Sequence, residues 1–185
     1  LRRAQEIIRR YDGQVTAFGL GGVNLYYTAG GSRYRIPEGW ALRDAASKSP
    51  VADGSGVKQF VEPLIIDHLA KNGVQFCGKR GAVSSALDRW HLARAMETAG
   101  CSVTVCDAAA ALRLPVLFRG TASFERAARL TMPLLRRIPL RMLYPLGPNG
   151  GSRRNPGFRA LGEAFRQADI IAGDTYLLWR RLPED

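Results

Sequence analysis

The chain has 185 residues, 46% of them hydrophobic and 23% charged, with a formal net charge of +11. This length and composition fit one globular domain and exclude a disordered tail or a fibrous repeat. Arg supplies 23 of the basic residues and Lys only four, so the charge admits nucleic acid or another polyanion as a partner. The arginine pairs Arg2-Arg3, Arg9-Arg10, Arg136-Arg137, Arg153-Arg154 and Arg180-Arg181 are scattered, however, and form no single basic tract. Nucleic acid is therefore the less favoured partner on sequence grounds.

The first turns carry charge, and the apolar stretch 108–118 is broken by Arg113 and too short to span a bilayer. A cytoplasmic protein without membrane attachment is the expectation, with the oligomeric state left open. Cys77, Cys101 and Cys106 form no Cys-x-x-Cys pair and read as free thiols in a reducing compartment, so no metal site is expected. The chain opens at Leu1 directly in a helix. It reads as a single α/β domain over residues 1–185, truncated at one or both ends.

Residues 1–11 predict a helix with Ala4, Ile7, Ile8 and Tyr11 on one face, stopped by Asp12-Gly13. Val15–Phe18 reads as a strand ending in Gly19-Leu20-Gly21-Gly22. Segments 23–28 and 33–36 predict a hairpin around Gly30-Gly31. A helix is expected over 40–47, then a brief strand at 50–52 leading into Asp53-Gly54-Ser55-Gly56. The next helix starts near Glu62, with Pro63 in its first turn, and closes at Asn72-Gly73. Short strands come next at 74–76 and 81–85. Asp88 is placed as the N-cap of a helix whose inward face is Leu92, Ala95, Met96 and Ala99. Strand 102–106 ends at Asp107, and a helix begins at Ala108. Thr121 is expected to cap a helix bearing Phe124, Ala127 and Ala128, with Pro133 and Pro139 breaking the segment after it. A strand at 141–144, a glycine-rich loop at 147–151, a helix around 158–165 and a last strand at 169–172 before Gly173-Asp174 complete the pattern.

Strands alternating with helices predict a Rossmann-like three-layer domain, a mostly parallel sheet with an inserted β-hairpin. Ligands of such sheets bind beyond the carboxyl ends of the strands. That places Gly19, Gly21, Gly22, Asn24, Gly54, Ser55, Gly56, Asp88, Arg89, Asp107, Gly173 and Asp174 as candidate ligand-binding residues. Glycines let backbone approach a ligand, and carboxylates bind sugar-like hydroxyls. Gly19–Gly22 lacks a complete dinucleotide fingerprint and reads equally as a tight turn. Asp53-Gly54-Ser55-Gly56 links a strand to a helix and is followed by Lys58, which suits an anion. Asp88, Asp107 and Asp174 also read as turn or helix caps, His68 and His91 as ordinary helical residues, and Trp40, Trp90 and Trp179 as packing.

Six segments, taken together and in order, resemble a bacterial family labelled quinate 5-dehydrogenase. They are Gly19 to Tyr26, Val51 to Gly56, Leu87-Asp88-Arg89, Leu114-Pro115, Leu143 to Gly147 and Ala168 to Asp174. The resemblance spans nearly the whole chain and implies an oxidoreductase that uses NAD or NADP and acts on a small polyhydroxylated acid. Lys58 and Asp53 are then the candidate catalytic pair, handling the proton of the reacting hydroxyl. The chain has Asn24 where the resemblance leads one to expect an acidic residue, and a plain Ala108-Ala109-Ala110. Two other functions remain open beside it: a non-catalytic binding domain for a small anionic or sugar-like metabolite, and a polyanion binder.

Overall fold

The computed structural model describes residues 1–136, 138 and 155–174. Helix α1 (Arg2–Tyr11) forms where the sequence predicts it and buries Ile8 against Leu42 and Ala45, but the rest of the expected apolar face, Ala4, Ile7 and Tyr11, stays exposed. Its end is tied down by Asp12, whose carboxylate accepts hydrogen bonds from the amides of Ser47, Lys48 and Ser49. Strand β1 (Phe18–Gly19) pairs in parallel with β4 (Val51–Ala52), matching Gly19 to Ala52. Between them lie the hairpin β2 (Tyr26–Ala29) and β3 (Ser32–Arg35), and then α2 (Pro37–Arg43). Helix α2 begins three residues earlier than the sequence suggests, because Pro37 is tolerated in a first helical turn.

A π-helical turn (Val57–Val61) runs directly into α3 (Glu62–Lys71). Strand β5 (Arg80–Val83), α4 (Trp90–Thr98), β6 (Ser102–Val105) and the single-turn α5 (Asp107–Ala110) come next. Strand β7 (Phe118–Arg119) leads into α6 (Gly120–Leu135), then come α7 (Pro156–Gln167) and β8 (Ile170–Ala172).

The fold is mixed α/β, but no single wide sheet collects the described strands. They divide into the β1–β4 pair, the hairpin, and a four-stranded sheet ordered β7-β6-β5-β8. In that sheet β6, β5 and β8 are parallel and β7 is antiparallel. Adjacent residues of β5 supply its two faces. Val83 joins a core with Trp90, Met96, Phe124 and Ala128 from α4 and α6, while Ala82 joins one with Ala109, Leu161 and Phe165 from α5 and α7.

Several expectations are corrected. Residues 74–76 form no strand, since Val74 bonds back to Leu69 in the turn after α3. Strand β7 appears where the sequence predicts none, through its pairing with β6. Helix α6 continues through Pro133 to Leu135, and its N-cap is Arg119 rather than Thr121. Thr121 is buried inside the helix, where its amide donates to Glu97. The strand expected at 141–144, the loop at 147–151 and Trp179 lie outside the described residues. Among the described residues, no helix is long and apolar enough to cross a membrane.

Candidate functional site

The turn after β4 is held by Asp53. Its Oδ1 accepts from the amide of Ser55 at 3.1 Å, and its Oδ2 accepts from the amide of Leu25 at 2.7 Å. Gly54 sits at φ +73°, a left-handed conformation that favours glycine. Burial raises the Asp53 pKa, but the hydrogen bonds from Leu25 and Ser55 outweigh it and hold the carboxyl below its ordinary range. Asp53 therefore latches the entry of the hairpin to the β4 turn. The hydrogen bonds of Asp53 thus run to Leu25 and Ser55, whereas those of Lys58, its expected partner, run elsewhere.

Lys58, on the π-helical turn, instead meets Asp88. Its Nζ lies 2.5 Å from Asp88 Oδ1 and 3.0 Å from Asn24 Oδ1, and Asn24 Nδ2 donates to the same Asp88 oxygen. Each side chain of this triad thus touches the other two. The Lys58 and Asp88 side chains keep 22% and 15% of their surface exposed, so the pair is sheltered but reachable. A π-helical turn widens the local spacing, and such turns recur at functional sites. Asp88 does not cap α4 as its place in the sequence predicts: the N-cap position is taken by Arg89, and no side chain caps the helix.

A second charged pair lies beside the first. Arg89 donates from Nη1 to Glu62 Oε1, and its Nη2 is 4.0 Å from Asp174 Oδ2. Glu62 is buried, which raises its pKa, and the charge of Arg89 offsets this only in part. Glu62 Oε2 and Arg89 Nε are enclosed without a hydrogen-bond partner. Lys58 and Glu62 are four residues apart, so a helical chain sets both on one face. That face carries + then −, and it meets the consecutive Asp88-Arg89, which carries − then +. In the sequence Glu62 reads only as a helix-start residue. The i,i+4 spacing from Lys58 is the signal that points to it.

The β5–α4 turn (residues 84–89) is braced from beneath. Asp107 is fully enclosed, and its carboxylate accepts from the amides of Ala86 at 2.7 Å and Leu87 at 2.9 Å. Burial pushes its pKa up to about 6, against the pull of those two amides. On the β8 side, the Asp174 amide donates to Ser85 Oγ at 3.0 Å. Gly173 at φ +143° passes so close that a Cβ there would lie 2.3 Å from Ser84 Oγ.

This turn is where a dinucleotide pyrophosphate would rest in a glycine-loop fold. Its residues do not fit that group. No glycine occurs from Ala82 to Arg89, Ser84, Ser85 and Ala86 are buried, and the amides of Ala86 and Leu87 already serve Asp107.

Other sequence candidates fall around this centre. Gly19 and Ala52 are register partners, so the 19–22 and 53–56 turns leave the same end of the β1–β4 pair. Nothing lies within 4 Å of a Cβ built on Gly19, Gly21, Gly22, Gly54 or Gly56, so these turns border open space. Contacts run from Asp53 to Leu25 and, through the neighbouring Asn24, to Asp88. They continue from Arg89 to Asp174. His68 contacts Asn72 at the end of α3, Trp90 stacks on Phe124 in the core, and Cys101 and Cys106 are buried thiols.

Residues 56–185 match a family model described as a domain of unknown function (DUF8754). The chain belongs to this family. Residues 1–53 match a second model, likewise described as a domain of unknown function (DUF8753). No curated protein matches the chain, and no solved structure does. The candidate site draws on both segments. Asn24 and Asp53 come from the DUF8753 match, and Lys58, Glu62, Asp88, Arg89 and Asp174 from the DUF8754 match.

Proposed function

We propose that the site around Lys58 and Asp88 binds a small polyhydroxylated acid and holds one of its hydroxyls between the two side chains. The observation that supports this reading is the meeting of Lys58, Asp88 and Asn24 at hydrogen-bond distance from three separate segments. An ammonium donates to a hydroxyl oxygen, a carboxylate accepts the hydroxyl proton, and an amide does both. A hydroxyl entering the triad therefore exchanges one set of hydrogen bonds for an equivalent one. Arg89, already paired with Glu62 but still partly exposed, adds a positive charge that favours a ligand carboxylate. The resemblance to the quinate 5-dehydrogenase family points to the same ligand class.

That resemblance also implies oxidation with NAD or NADP. A Lys–carboxylate pair beside a hydroxyl is arranged to take up its proton, which is half of such a reaction. The other half needs a hydride acceptor, and the β5–α4 turn is not built as its cradle. The reading best supported is consequently a binding site for the acid, the non-catalytic function that the sequence left open. The Rossmann-like three-layer description belongs to the same proposal. Its support is the parallel β6-β5-β8 core with helices packed on both faces.

The test is a thermal-shift and calorimetric titration of the chain with quinate, shikimate, NAD and NADP. A ligand that binds only the folded state raises the melting temperature. Stabilisation by a ring acid that is lost in Lys58→Met and Asp88→Asn supports the proposal. Failure of every ring acid to bind the parent chain sinks it, and binding of NAD or NADP restores the oxidoreductase reading.

A further inference from the structure

The arginines that look scattered in the sequence are not scattered on the surface of the hairpin. Arg33 and Arg35 are exposed on β3 two residues apart, so both project from the same face of the strand. The Arg33 guanidinium lies 4.4 Å from the centroid of the Tyr26 ring, and that of Arg35 lies 3.5 Å from the Trp40 ring. Arg43, on α2, approaches the same Trp40 ring at 5.2 Å. The two rings meet edge to face with centroids 5.6 Å apart. Tyr26, Trp40 and three guanidiniums therefore form one continuous array. Asp44 pairs with it, at 3.6 Å from Arg35 and 3.0 Å from Arg43. Arg136 and Glu38 line a small hollow next to Arg35.

The rings hold these arginines in place while leaving part of their donor set for other partners. A guanidinium over a ring can still offer its N–H edge to a planar or tetrahedral anion. Salt bridges to exposed Asp44 compete weakly, because surface pairs of this kind contribute little. Strand spacing puts Arg33 and Arg35 about 6.7 Å apart along the chain.

We propose that this arginine–aromatic face of the hairpin and α2 binds the phosphate backbone of a nucleic acid. The chain's net charge of +11 gives the long-range attraction, and the array gives it a place. A membrane surface is the less suitable partner, because guanidiniums lie against both aromatic rings and set positive charge where an apolar wedge would be needed. The large exposed apolar side chains, such as Phe60, Leu64 and Leu130, lie on other elements. The proposal is independent of the ligand assigned to the Lys58–Asp88 site.

The test is fluorescence anisotropy of a labelled oligouridylate titrated with the full chain across about 50 to 200 mM salt. Binding is expected to weaken at least tenfold in Arg33→Ala/Arg35→Ala/Arg43→Ala, with the salt slope reduced by about 2, as for three lost contacts to a single strand. A control with equal charge loss on α1, Arg2→Ala/Arg3→Ala/Arg9→Ala, should change affinity less than threefold. Replacing the same three hairpin and α2 arginines by Lys keeps charge and folding but removes the stacked forks, and should give an intermediate loss. Equal weakening by both Ala triples would show that net charge alone acts, and would overturn the proposal. Absence of binding at low salt, or binding to phosphatidylserine vesicles without binding to RNA, would overturn it as well.

Discussion

Lys58 Nζ lies 2.5 Å from Asp88 Oδ1, although the two residues are 30 positions apart in the chain. The contact joins the π-helical turn to the β5–α4 turn, and Asn24 closes it from the hairpin side. Removing one partner leaves the other sheltered and unpaired, which costs more than the pair contributes. Asp88→Asn should lower stability by about 1–3 kcal/mol, and Lys58→Met/Asp88→Asn should recover part of that loss. Denaturant unfolding of the two single variants and the double variant checks this. Strict additivity would mean that the two side chains are not coupled.

Asp53→Asn tests the latch on the hairpin. The carboxylate serves two amides with two oxygens, whereas Asn offers one. A loss of about 1 kcal/mol in stability is expected. The carboxyl's folded pKa is lowered. Its contribution is therefore present above the ordinary Asp range and is lost as pH falls through the lowered folded value. Acid titration of parent and variant should show their stabilities converging at the acid end. A constant difference down to low pH would place the effect elsewhere.

Asp107 has the opposite sign. Its folded pKa is raised from 3.8 to about 6, so in that window the folded state holds more proton than the unfolded one. This group's contribution therefore grows as pH falls from about 6 towards 4. Asp107→Asn removes that dependence and sets an amide N–H₂ against the Ala86 or Leu87 amide. The gap between parent and variant stability should widen across this window. Melting curves at closely spaced pH values would reveal a flat gap if Asp107 does not titrate there.

Gly173→Ala should destabilise by about 1–3 kcal/mol, because φ is +143° and the added Cβ would lie 2.3 Å from Ser84 Oγ. Ser84 Oγ is enclosed without a hydrogen-bond partner, so Ser84→Ala alone should be close to neutral. Combining the two should recover part of the Gly173→Ala loss, since the hydroxyl clash disappears while the backbone strain stays. Equal instability of Gly173→Ala and the double variant would assign the effect to φ and to the remaining close approach of Ser85 Oγ and the Ser84 amide.

The sequence by itself determined the elements whose information is local. The positions of helices α1 and α4 and of the hairpin follow from apolar periodicity and from glycine at the turns, which depend on neighbours two, three or four positions away, although of the expected α1 face only Ile8 is buried. The same reading put Gly54, Asp88 and Asp174 at turns beyond strands. The tertiary structure decided which turns meet and which atoms pair. Asp88 has a helix-capping residue's address, yet its carboxylate is drawn to Lys58 and Asn24. Asp53 lies five residues before Lys58 but is consumed by the amides of Leu25 and Ser55. Strand β7 exists only because β6 offers an edge, and residues 74–76 lack such an edge and remain a turn. Hydrogen bonds and ion pairs between distant segments depend on where the whole chain brings those segments, and no local window of sequence contains that distance.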